Sequence, residues 1–396
     1  LAIAATNGKT IATVDIVGAY LNANMSSVDV YMKLDKEMTS ILLTLDDSFE
    51  NFITTEGTLF VHLNKAIYGC IESAQLWYNH LKDSLIKLNF HMNNYDNCVF
   101  QRKTLVVQVY VDDLLIIGEE HDVNEFIEQI EDIYKEITVN RGNNHSYLGM
   151  DITIKDKVAI IRMESYINQI TKNVNENHRI KVPAAIDLFE INDSLDLLES
   201  EEQKVMHTQV AQLLYLGTRV RPDVLLVCNF LSTRVNKFTY EDKMKLEKCL
   251  VYLKNTRHLG LCLSISSNNL FGYVDASFGI HPDGRSQTGI IHSLGNGSIQ
   301  ASTTKQKMTT KSSCESELVA ASDGVSNLIG IKNYLVQQGY LFETILFQDN
   351  QSTISMIKKG ITSAKRTKHI NIRYFFIKDY LDAGELQVQY LRTEDM

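Results

Sequence analysis

Two adjacent carboxylates, Asp112 and Asp113, lie between two strongly apolar runs, and this feature constrains the fold more than any other. The runs at 105–111 and 114–117 are rich in β-branched residues, which predicts a β-hairpin with the aspartates at its tip. Asp is common in turns, so a turn role alone would explain a single such pair. Carboxylates held against apolar strands are nevertheless costly unless they are paired.

A third aspartate, Asp15, ends another apolar run, Thr-Ile-Ala-Thr-Val at 10–14. Mg²⁺ prefers hard oxygen ligands and is usually bound by one or two carboxylates together with substrate phosphates. Two such ions, about 3.5–4 Å apart, hold the attacking and leaving oxygens of an in-line displacement. Nucleotide addition needs that arrangement, so the three aspartates predict a nucleotidyl-transfer site.

Four segments resemble, in this order, the polymerase region of Copia-type (Pseudoviridae) LTR retrotransposon polyproteins. Residues 14–21, Val-Asp-Ile-Val-Gly-Ala-Tyr-Leu, resemble the motif that supplies one palm aspartate, and Tyr-Val-Asp-Asp at 110–113 resembles the YVDD box of reverse transcriptases. Residues 63–70 with 76–78 resemble the family's K-A-L-Y-G-L…W-Y segment, and residues 147–152 are similar to its F-L-G-I-E-I. The resemblance implies an α+β palm of the right-hand polymerase type.

The resemblance also implies roles for individual residues. Asp15, Asp112 and Asp113 would be the catalytic metal ligands. Tyr20 falls where the family places an aromatic gate beneath the incoming sugar, whose ring collides with a 2′-hydroxyl and so favours deoxynucleotides; the alternative is an ordinary core aromatic. The other substrate-binding residues implied for this region are Lys65, Glu72, Tyr110 and Gly149.

Glu72 departs from the family pattern, which usually has Gln at this position. A carboxylate near an incoming triphosphate repels it unless the carboxylate points away or is paired. We therefore expect Glu72 to affect catalytic efficiency and not the fold. The chain begins just before the Asp15 motif, so the family's basic fingers segment is expected to be truncated.

The last third of the chain resembles the ribonuclease H domain of the same family in four segments. Residues 272–277 resemble G-Y-S-D-A-D, residues 312–318 resemble S-S-T-E-A-E-Y, residues 348–352 resemble C-D-N-Q-S, and residues 368–374 resemble K-H-I-D-I-R-Y. Such a nuclease needs clustered carboxylates on rigid elements, which bind two metal ions and activate water against an RNA phosphate.

Asp275, Glu317 and Asp349 would be the catalytic metal ligands of this second site. Glu315 is the rival of Glu317, but with Ser312 it forms a plausible capping box at the start of a predicted helix, which suits Glu315 better. The resemblance ends before a further family Asp, so we expect the fourth carboxylate to be absent.

Basic residues near the end of the chain are predicted to meet the nucleic-acid backbone. A solvated basic face is the alternative, and for the histidine a structural role. These residues are Lys365, Arg366, Lys368, His369 and Arg373.

An acidic stretch at 183–203 has no basic residue and predicts a solvated linker or exposed loop. We predict three domains: a reverse transcriptase palm with truncated fingers at 1–155, a helical thumb or connection including this linker at 156–265, and a C-terminally truncated, α/β ribonuclease H-like domain with a mixed five-stranded sheet at 266–396. Predicted elements include helices at 123–137, at 205–255 with a break at 221–223, and at 313–338, and strands at 270–274, 289–293 and 345–348.

Composition bounds these interpretations. The net charge of -9 argues against a simple nucleic-acid binder, and none of the six cysteines forms a CxxC pair, which argues against a disulfide framework or a zinc site. The 44% hydrophobic content is enough for two or three packed domains, and no apolar run is long enough to cross a membrane.

The sequence thus predicts an RNA-directed DNA polymerase with ribonuclease H, which copies retrotransposon RNA into cDNA and cleaves RNA in the RNA–DNA hybrid. The expected cofactor is Mg²⁺, with Mn²⁺ as the alternative. Expected partners are the RNA template, the DNA primer or cDNA, the RNA–DNA hybrid, deoxynucleoside triphosphates, and the flanking integrase and capsid regions of a polyprotein, with no membrane. The expected location is the cytoplasm, within virus-like particles, with the nucleus as the alternative. Two other hypotheses stay open: an inactive or domesticated remnant that folds or binds nucleic acid without catalysis, and a nuclease alone.

Overall fold

The computed structural model describes residues 1–25, 29–175, 179–192, 194–359 and 368–396. These residues form two compact units. The smaller unit is Thr10–Arg141, and the larger unit consists of Leu1–Lys9 together with Gly142–Met396.

Both units contain strands and helices. The strands are β1 (Thr10–Ile16), β2 (Tyr31–Leu34), β3 (Leu59–His62), β4 (His91–Met92), β5 (Val99–Arg102), β6 (Leu105–Tyr110), β7 (Asp113–Gly118), β8 (Ile137–Arg141), β9 (Asn144–Tyr147), β10 (Met150–Lys155), β11 (Val158–Arg162), β12 (Leu261–Ile265), β13 (Asn269–Ser277), β14 (Gln287–Ser293), β15 (Gly295–Asn296), β16 (Gln300–Lys305), β17 (Glu343–Gln348) and β18 (Gln387–Tyr390). The α-helices are α1 (Ala2–Asn7), α2 (Lys36–Leu45), α3 (Ser73–Lys87), α4 (Glu120–Tyr134), α5 (Glu164–Ile170), α6 (Ser200–Arg219), α7 (Leu225–Ser232), α8 (Tyr240–Asn255), α9 (Ser313–Gln337), α10 (Gln351–Lys359) and α11 (Lys368–Asp382). Short 3-10 helices lie at Ala19–Asn22, Asp47–Phe52, Pro222–Val224 and Thr393–Asp395.

An antiparallel sheet with strand order β4-β5-β6-β7-β1-β8 forms the centre of the smaller unit. The predicted hairpin is confirmed, because β6 and β7 pair with Tyr110 opposite Asp113. Helices α3 and α4 bury their apolar sides in the same core as the sheet. Trp77 of α3 and Phe126 of α4 are among the fully buried side chains of that core. Burial of this size is the main source of stability for the sheet.

A mixed five-stranded sheet with order β16-β14-β13-β17-β18 lies in the larger unit, as predicted for a ribonuclease H-like domain. The central strand β13 pairs antiparallel with β14 and parallel with β17, and β18 adds in parallel to β17. Helix α9 packs across β13, β14 and β17. Gly324 permits this close approach, because a Cβ atom there would lie 2.4 Å from the Val274 side chain.

The larger unit contains a second sheet, with order β15-β12-β11-β10-β9. The helical region of this unit has the break that the sequence predicts, because α6 ends at Arg219 and Pro222–Val224 forms a 3-10 turn. None of the helices in the described ranges combines the length and the apolar character that a bilayer crossing requires.

The prediction that the whole of 183–203 is solvated or exposed is wrong at three places. Leu188 is buried, and the Phe189 ring packs edge-on against Phe230 at 5.5 Å between centroids. Helix α6 begins at Ser200, inside the predicted linker. Burial of apolar side chains such as Leu188 explains the difference there, since it outweighs the solvation of the acidic neighbours.

Candidate active sites

Three aspartates meet at one end of the sheet in the smaller unit. Asp15 near the end of β1 lies directly opposite Asp113 at the start of β7. Asp112 occupies the two-residue turn between β6 and β7, and its carbonyl accepts a hydrogen bond from the Ile16 amide at 3.1 Å. The structure therefore brings together the three residues that the sequence predicts as metal ligands of the first site.

The turn that presents Asp112 is held in an unfavourable backbone conformation. Val111, the first turn residue, has φ +57°, a left-handed value that two-residue hairpins need but that a β-branched side chain rarely adopts. Such a conformation costs about 1–3 kcal/mol and persists only where the surroundings enforce it. The buried Trp77 indole supplies that enforcement, since its Nε1 donates to the Val111 carbonyl at 2.6 Å.

Replacing Trp77 by Phe is expected to lower both stability and polymerase activity. The Phe ring cannot donate, so the Val111 carbonyl loses its partner, at a cost of about 1–3 kcal/mol. Tyr134→Phe is the matched control, because it removes another hydrogen bond of the same core, from the Tyr134 hydroxyl to Ser84. Thermal melts and primer extension would be compared. Each variant would be assayed at a temperature at which the same fraction of the protein is folded. If both variants then lost primer extension equally, Trp77 would have no specific role at the turn.

Partial burial and, after it, repulsion between the carboxylates determine the pKa values of two aspartates at this site. Partial burial raises the pKa of Asp15 above its usual range, and the charge of Asp112 raises it further. Burial also raises the pKa of Asp113, with further contributions from Asp112 and Asp15. Each carboxylate makes it harder for its neighbour to ionise. A bound cation would offset this repulsion. The donor set therefore fits a hard divalent cation.

Tyr68 connects the turn aspartate to the predicted sugar gate. Its hydroxyl donates to Asp112 Oδ2 at 3.0 Å, and its ring lies 4.3 Å from that of Tyr20, centroid to centroid. Tyr68 is exposed, but partial desolvation of its hydroxyl raises its pKa to about 12, and the hydrogen bond and charge of Asp112 contribute. Tyr68 lies in the segment at 63–70, but the motif there does not indicate this role, because the hydrogen bond to Asp112 spans 44 positions. Tyr110, predicted to bind substrate, is exposed beside the turn.

Lys65 and Glu72 take different environments. Lys65 is exposed, in a segment whose backbone pairs with Asn24. Glu72 is the half-buried N-cap residue of α3. The positive end of a helix dipole stabilises a carboxylate at that position. The Glu72 side chain makes no capping hydrogen bond to α3, and its role in substrate binding stays a prediction.

Gly149 lies in the larger unit, in the two-residue turn between β9 and β10. Leu148 and Gly149 both have positive φ, +50° and +73°. A turn with two left-handed residues favours Gly at the second position. The Tyr215 hydroxyl donates to the Leu148 carbonyl at 3.1 Å and fixes the turn. The turn accounts for the glycine, and its substrate-binding role stays a prediction.

The second carboxylate cluster lies in the larger unit. Asp275 is on β13, Glu317 is on α9, and Asp349 directly follows β17. One carboxylate oxygen from each lies within 4.8 Å of the others. Of the residues the structure describes, only His121, Asp122 and Glu125, on the surface of α4, form another such group of three, so the first-site aspartates converge less closely than this cluster.

Glu317 is nearly buried, and this sets the electrostatics of the second cluster. Burial raises the pKa of Glu317 to about 8, and the charges of Asp275 and Asp349 act in the same direction. Asp275 is exposed to solvent, but the surrounding protein desolvates its carboxylate enough to raise its pKa, and the charge of Asp349 raises it further. The Thr393 hydroxyl donates to Asp349 Oδ2 at 2.6 Å. Three converging oxygens with this excess of negative charge fit a divalent cation.

Glu315 is excluded from this cluster by its capping role. The Glu315 amide donates to Ser312 Oγ at 3.2 Å, and Glu315 Oε2 accepts from the Lys311 amide at 2.8 Å. The predicted N-terminus of the helix is thereby confirmed, and Glu317 is the acid that faces β13.

The predicted nucleic-acid contacts near the end of the chain are only partly described. Lys365 and Arg366 lie outside the described residues, and so do the side chains of Lys368 and His369. Arg373 forms an ion pair with Asp323 on α9. A structural partner for Arg373 is therefore present, whereas its contact with nucleic acid stays a prediction.

Comparisons with known proteins agree with this arrangement. Residues 1–186 match the family described as reverse transcriptase (RNA-dependent DNA polymerase). The chain is 26% identical over 414 residues to a retrovirus-related Pol polyprotein from transposon TNT 1-94 of Nicotiana tabacum. The alignment covers 100% of this chain and 30% of that polyprotein. It is 25% identical over 423 residues to the truncated transposon Ty1-A Gag-Pol polyprotein of Saccharomyces cerevisiae, covering 100% of this chain and 33% of the relative. The chain thus spans about a third of the length of these relatives.

Solved structures share the fold across nearly the whole chain. The foamy viral protease-reverse transcriptase in complex with dsDNA matches with a TM-score of 0.54 and 15% identity, over 97% of this chain and 68% of that one. Its dRH form in complex with double-stranded DNA matches with a TM-score of 0.51 and 14% identity, over 97% of this chain and 57% of that one. At these identities the similarity concerns the fold.

Proposed function

We propose that this chain is part of a Copia-type LTR retrotransposon polyprotein and is an RNA-directed DNA polymerase with an associated ribonuclease H. The polymerase would copy an RNA template from a DNA primer, and the ribonuclease H would cleave RNA in the resulting hybrid. The proposed cofactor is Mg²⁺ at both sites. The observation that carries the polymerase proposal is the pairing of Asp15 opposite Asp113, with Asp112 at the adjoining turn.

The proposed polymerase mechanism assigns separate tasks to the residues of the smaller unit. Bound divalent ions would activate the attacking 3′-hydroxyl and stabilise the leaving pyrophosphate. Asp15, Asp112 and Asp113 would hold these ions. Tyr68 would keep the Asp112 carboxylate oriented through its hydroxyl. Trp77 would hold the strained turn in place beside β1 through its hydrogen bond to the Val111 carbonyl.

A specific observation favours the second activity. One carboxylate oxygen each from Asp275, Glu317 and Asp349 lies within 4.8 Å of the others. Asp275 lies on β13, Asp349 directly follows the neighbouring β17, and Glu317 lies on α9, which packs across both strands. A bound ion there would lower the barrier to attack of water on a phosphodiester. Asp275, which is exposed, would lie on the substrate side of the metal ion. Glu317, which is buried, would bind the ion from the protein side. Hybrid recognition would depend on the 2′-hydroxyl and on A-like helix shape, not on base sequence.

Primer extension tests the polymerase proposal directly. The chain would be incubated with a DNA primer on an RNA template, deoxynucleoside triphosphates and Mg²⁺, and product length would be followed on denaturing gels. Template-dependent extension that stops on addition of a chelator is the expected result. A folded chain that extends no primer with either Mg²⁺ or Mn²⁺ would refute the polymerase proposal and favour a catalytically silent remnant.

Tyr20→Val is expected to relax the choice of sugar. The Tyr20 ring, supported by Tyr68 at 4.3 Å, would block a 2′-hydroxyl, and the smaller side chain would admit it. Steric discrimination of one small group is worth about 1–3 kcal/mol, so ribonucleotide incorporation should rise about 10- to 100-fold relative to deoxynucleotide incorporation. Tyr95→Val, at an exposed tyrosine of the same unit, is the control. Unchanged discrimination in the Tyr20 variant would mean that Tyr20 is only a core aromatic.

A further inference from the structure

Gln348 contacts the second carboxylate cluster but is not one of its three carboxylates. It is the last residue of β17 and directly precedes Asp349. Its side chain is completely buried. A buried amide needs hydrogen-bond partners for both its oxygen and its nitrogen, because an unsatisfied polar group there is costly.

The orientation of the Gln348 amide is fixed by chemistry. The Asn350 backbone N–H, which can only donate, lies 2.8 Å from Gln348 Oε1. The amide oxygen must therefore face Asn350, and the NH₂ group must face the other way. That NH₂ group donates to Glu317 Oε2 at 3.1 Å.

Each carboxylate oxygen of Glu317 therefore accepts a hydrogen bond from the protein. Glu317 Oε1 accepts from the Ala276 amide at 3.2 Å, while Oε2 accepts from Gln348. Ala276 directly follows Asp275 on β13, and Gln348 directly precedes Asp349. The two donors thus belong to the same strand segments that carry the other two carboxylates, so the position of Glu317 is tied to theirs.

A neutral donor suits this position better than a cation would. An Arg or Lys beside Glu317 would orient the carboxylate equally well, but it would also offset the negative charge that attracts a metal ion. The Gln348 amide orients the Glu317 carboxylate and adds no positive charge to the cluster. Groups that hydrogen-bond to metal-ligating carboxylates commonly set metal affinity in this way.

We infer that Gln348 is a positioning residue of the second site, which fixes the Glu317 carboxylate so that it converges with Asp275 and Asp349 on one divalent cation. The inference rests on the proposed ribonuclease H function and deepens it. Without the amide donor, the Glu317 carboxylate could rotate away from Asp275 and Asp349. The first measurable consequence would be a lower affinity for the metal ion.

Titration calorimetry with Mg²⁺ tests this inference on the full chain, in an Asp112→Asn background that weakens the first site. Gln348→Met replaces the amide by an apolar side chain of similar length. Its Mg²⁺ dissociation constant is expected to rise about 10- to 100-fold. Gln348→Asn keeps an amide but withdraws it by one methylene, and it should act in the same direction if the Met variant folds poorly. Gln387→Met, at an exposed glutamine on β18, is the matched control and should bind as the parent does.

Hybrid cleavage provides a second measurement that a packing role alone would not change. The Gln348 variants should need more Mg²⁺ for half-maximal cleavage and recover most of the rate at saturating Mg²⁺. Parent-like Mg²⁺ affinity in both folded Gln348 variants would overturn the inference and leave the proposed function standing. Absence of Mg²⁺ binding by the parent cluster itself would overturn both, and Glu317→Gln serves as the reference for that baseline.

Discussion

Asp112→Asn is expected to reduce primer extension on an RNA template about 10³-fold while the chain stays folded. Metal ions at a phosphoryl-transfer site supply several kcal/mol of transition-state stabilisation, and about 4 kcal/mol corresponds to three orders of magnitude in rate. The amide that replaces the carboxylate is a poorer ligand without charge. Its oxygen can still accept the Tyr68 hydroxyl, so the hydrogen bond that anchors the turn is retained.

The control for this experiment is Asp122→Asn, which removes one negative charge from an acidic group on α4 of the same unit. Extension rates at saturating nucleotide and hybrid cleavage by the larger unit would be measured in parallel. We expect cleavage to be unaffected by Asp112→Asn, because the second cluster has its own ligands. Extension at the parent rate in the Asp112 variant would reject the assignment of the first site, and parallel loss in the control would point to a general effect of charge.

Glu317→Gln is expected to abolish hybrid RNA cleavage, again by about 10³-fold, and to leave primer extension intact. Glu317 is the only one of its cluster's three carboxylates that is nearly buried. Glu315→Gln is the matched control on the same helix, because a Gln there can still accept the Lys311 amide. Cleavage of a labelled RNA–DNA hybrid would be measured for all three proteins. Retained cleavage by Glu317→Gln, or equal loss in the control, would sink the assignment.

The same variant should change how the stability of the metal-free chain depends on pH. The folded-state pKa of Glu317, about 8, lies above its ordinary value of 4.5, so the folded chain holds this proton more tightly than the unfolded chain. The contribution of this group to stability is therefore fully present below about pH 4.5 and is lost as the pH rises to about 8. Thermal melts of metal-free protein from pH 5 to pH 8.5 should show a steeper decline for the parent than for Glu317→Gln. Parallel curves would show that Glu317 ionises normally in the folded chain.

Local features of the sequence predicted much of this architecture. Alternating apolar runs around Asp112 predicted the β6–β7 hairpin, and Ser312 with Glu315 predicted where α9 begins. These features depend on interactions between residues a few positions apart, which periodicity and capping preferences encode directly. The order of motifs also predicted the palm and ribonuclease H-like folds, which the sheet topologies and the structural comparisons confirm.

The contacts that set the geometry of the two sites were decided only by the tertiary structure. The hydrogen bonds from Tyr68 to Asp112, from Trp77 to the Val111 carbonyl and from Gln348 to Glu317 span 44, 34 and 31 positions. The acidic neighbours of Leu188 in sequence predict a solvated linker, whereas its neighbours in space bury it. The sequence by itself determined which carboxylates are available and which elements carry them, since propensity and pattern are local. Only the packing of distant segments determined which donors orient those carboxylates, because a side-chain hydrogen bond depends on distance in space and not on separation along the chain.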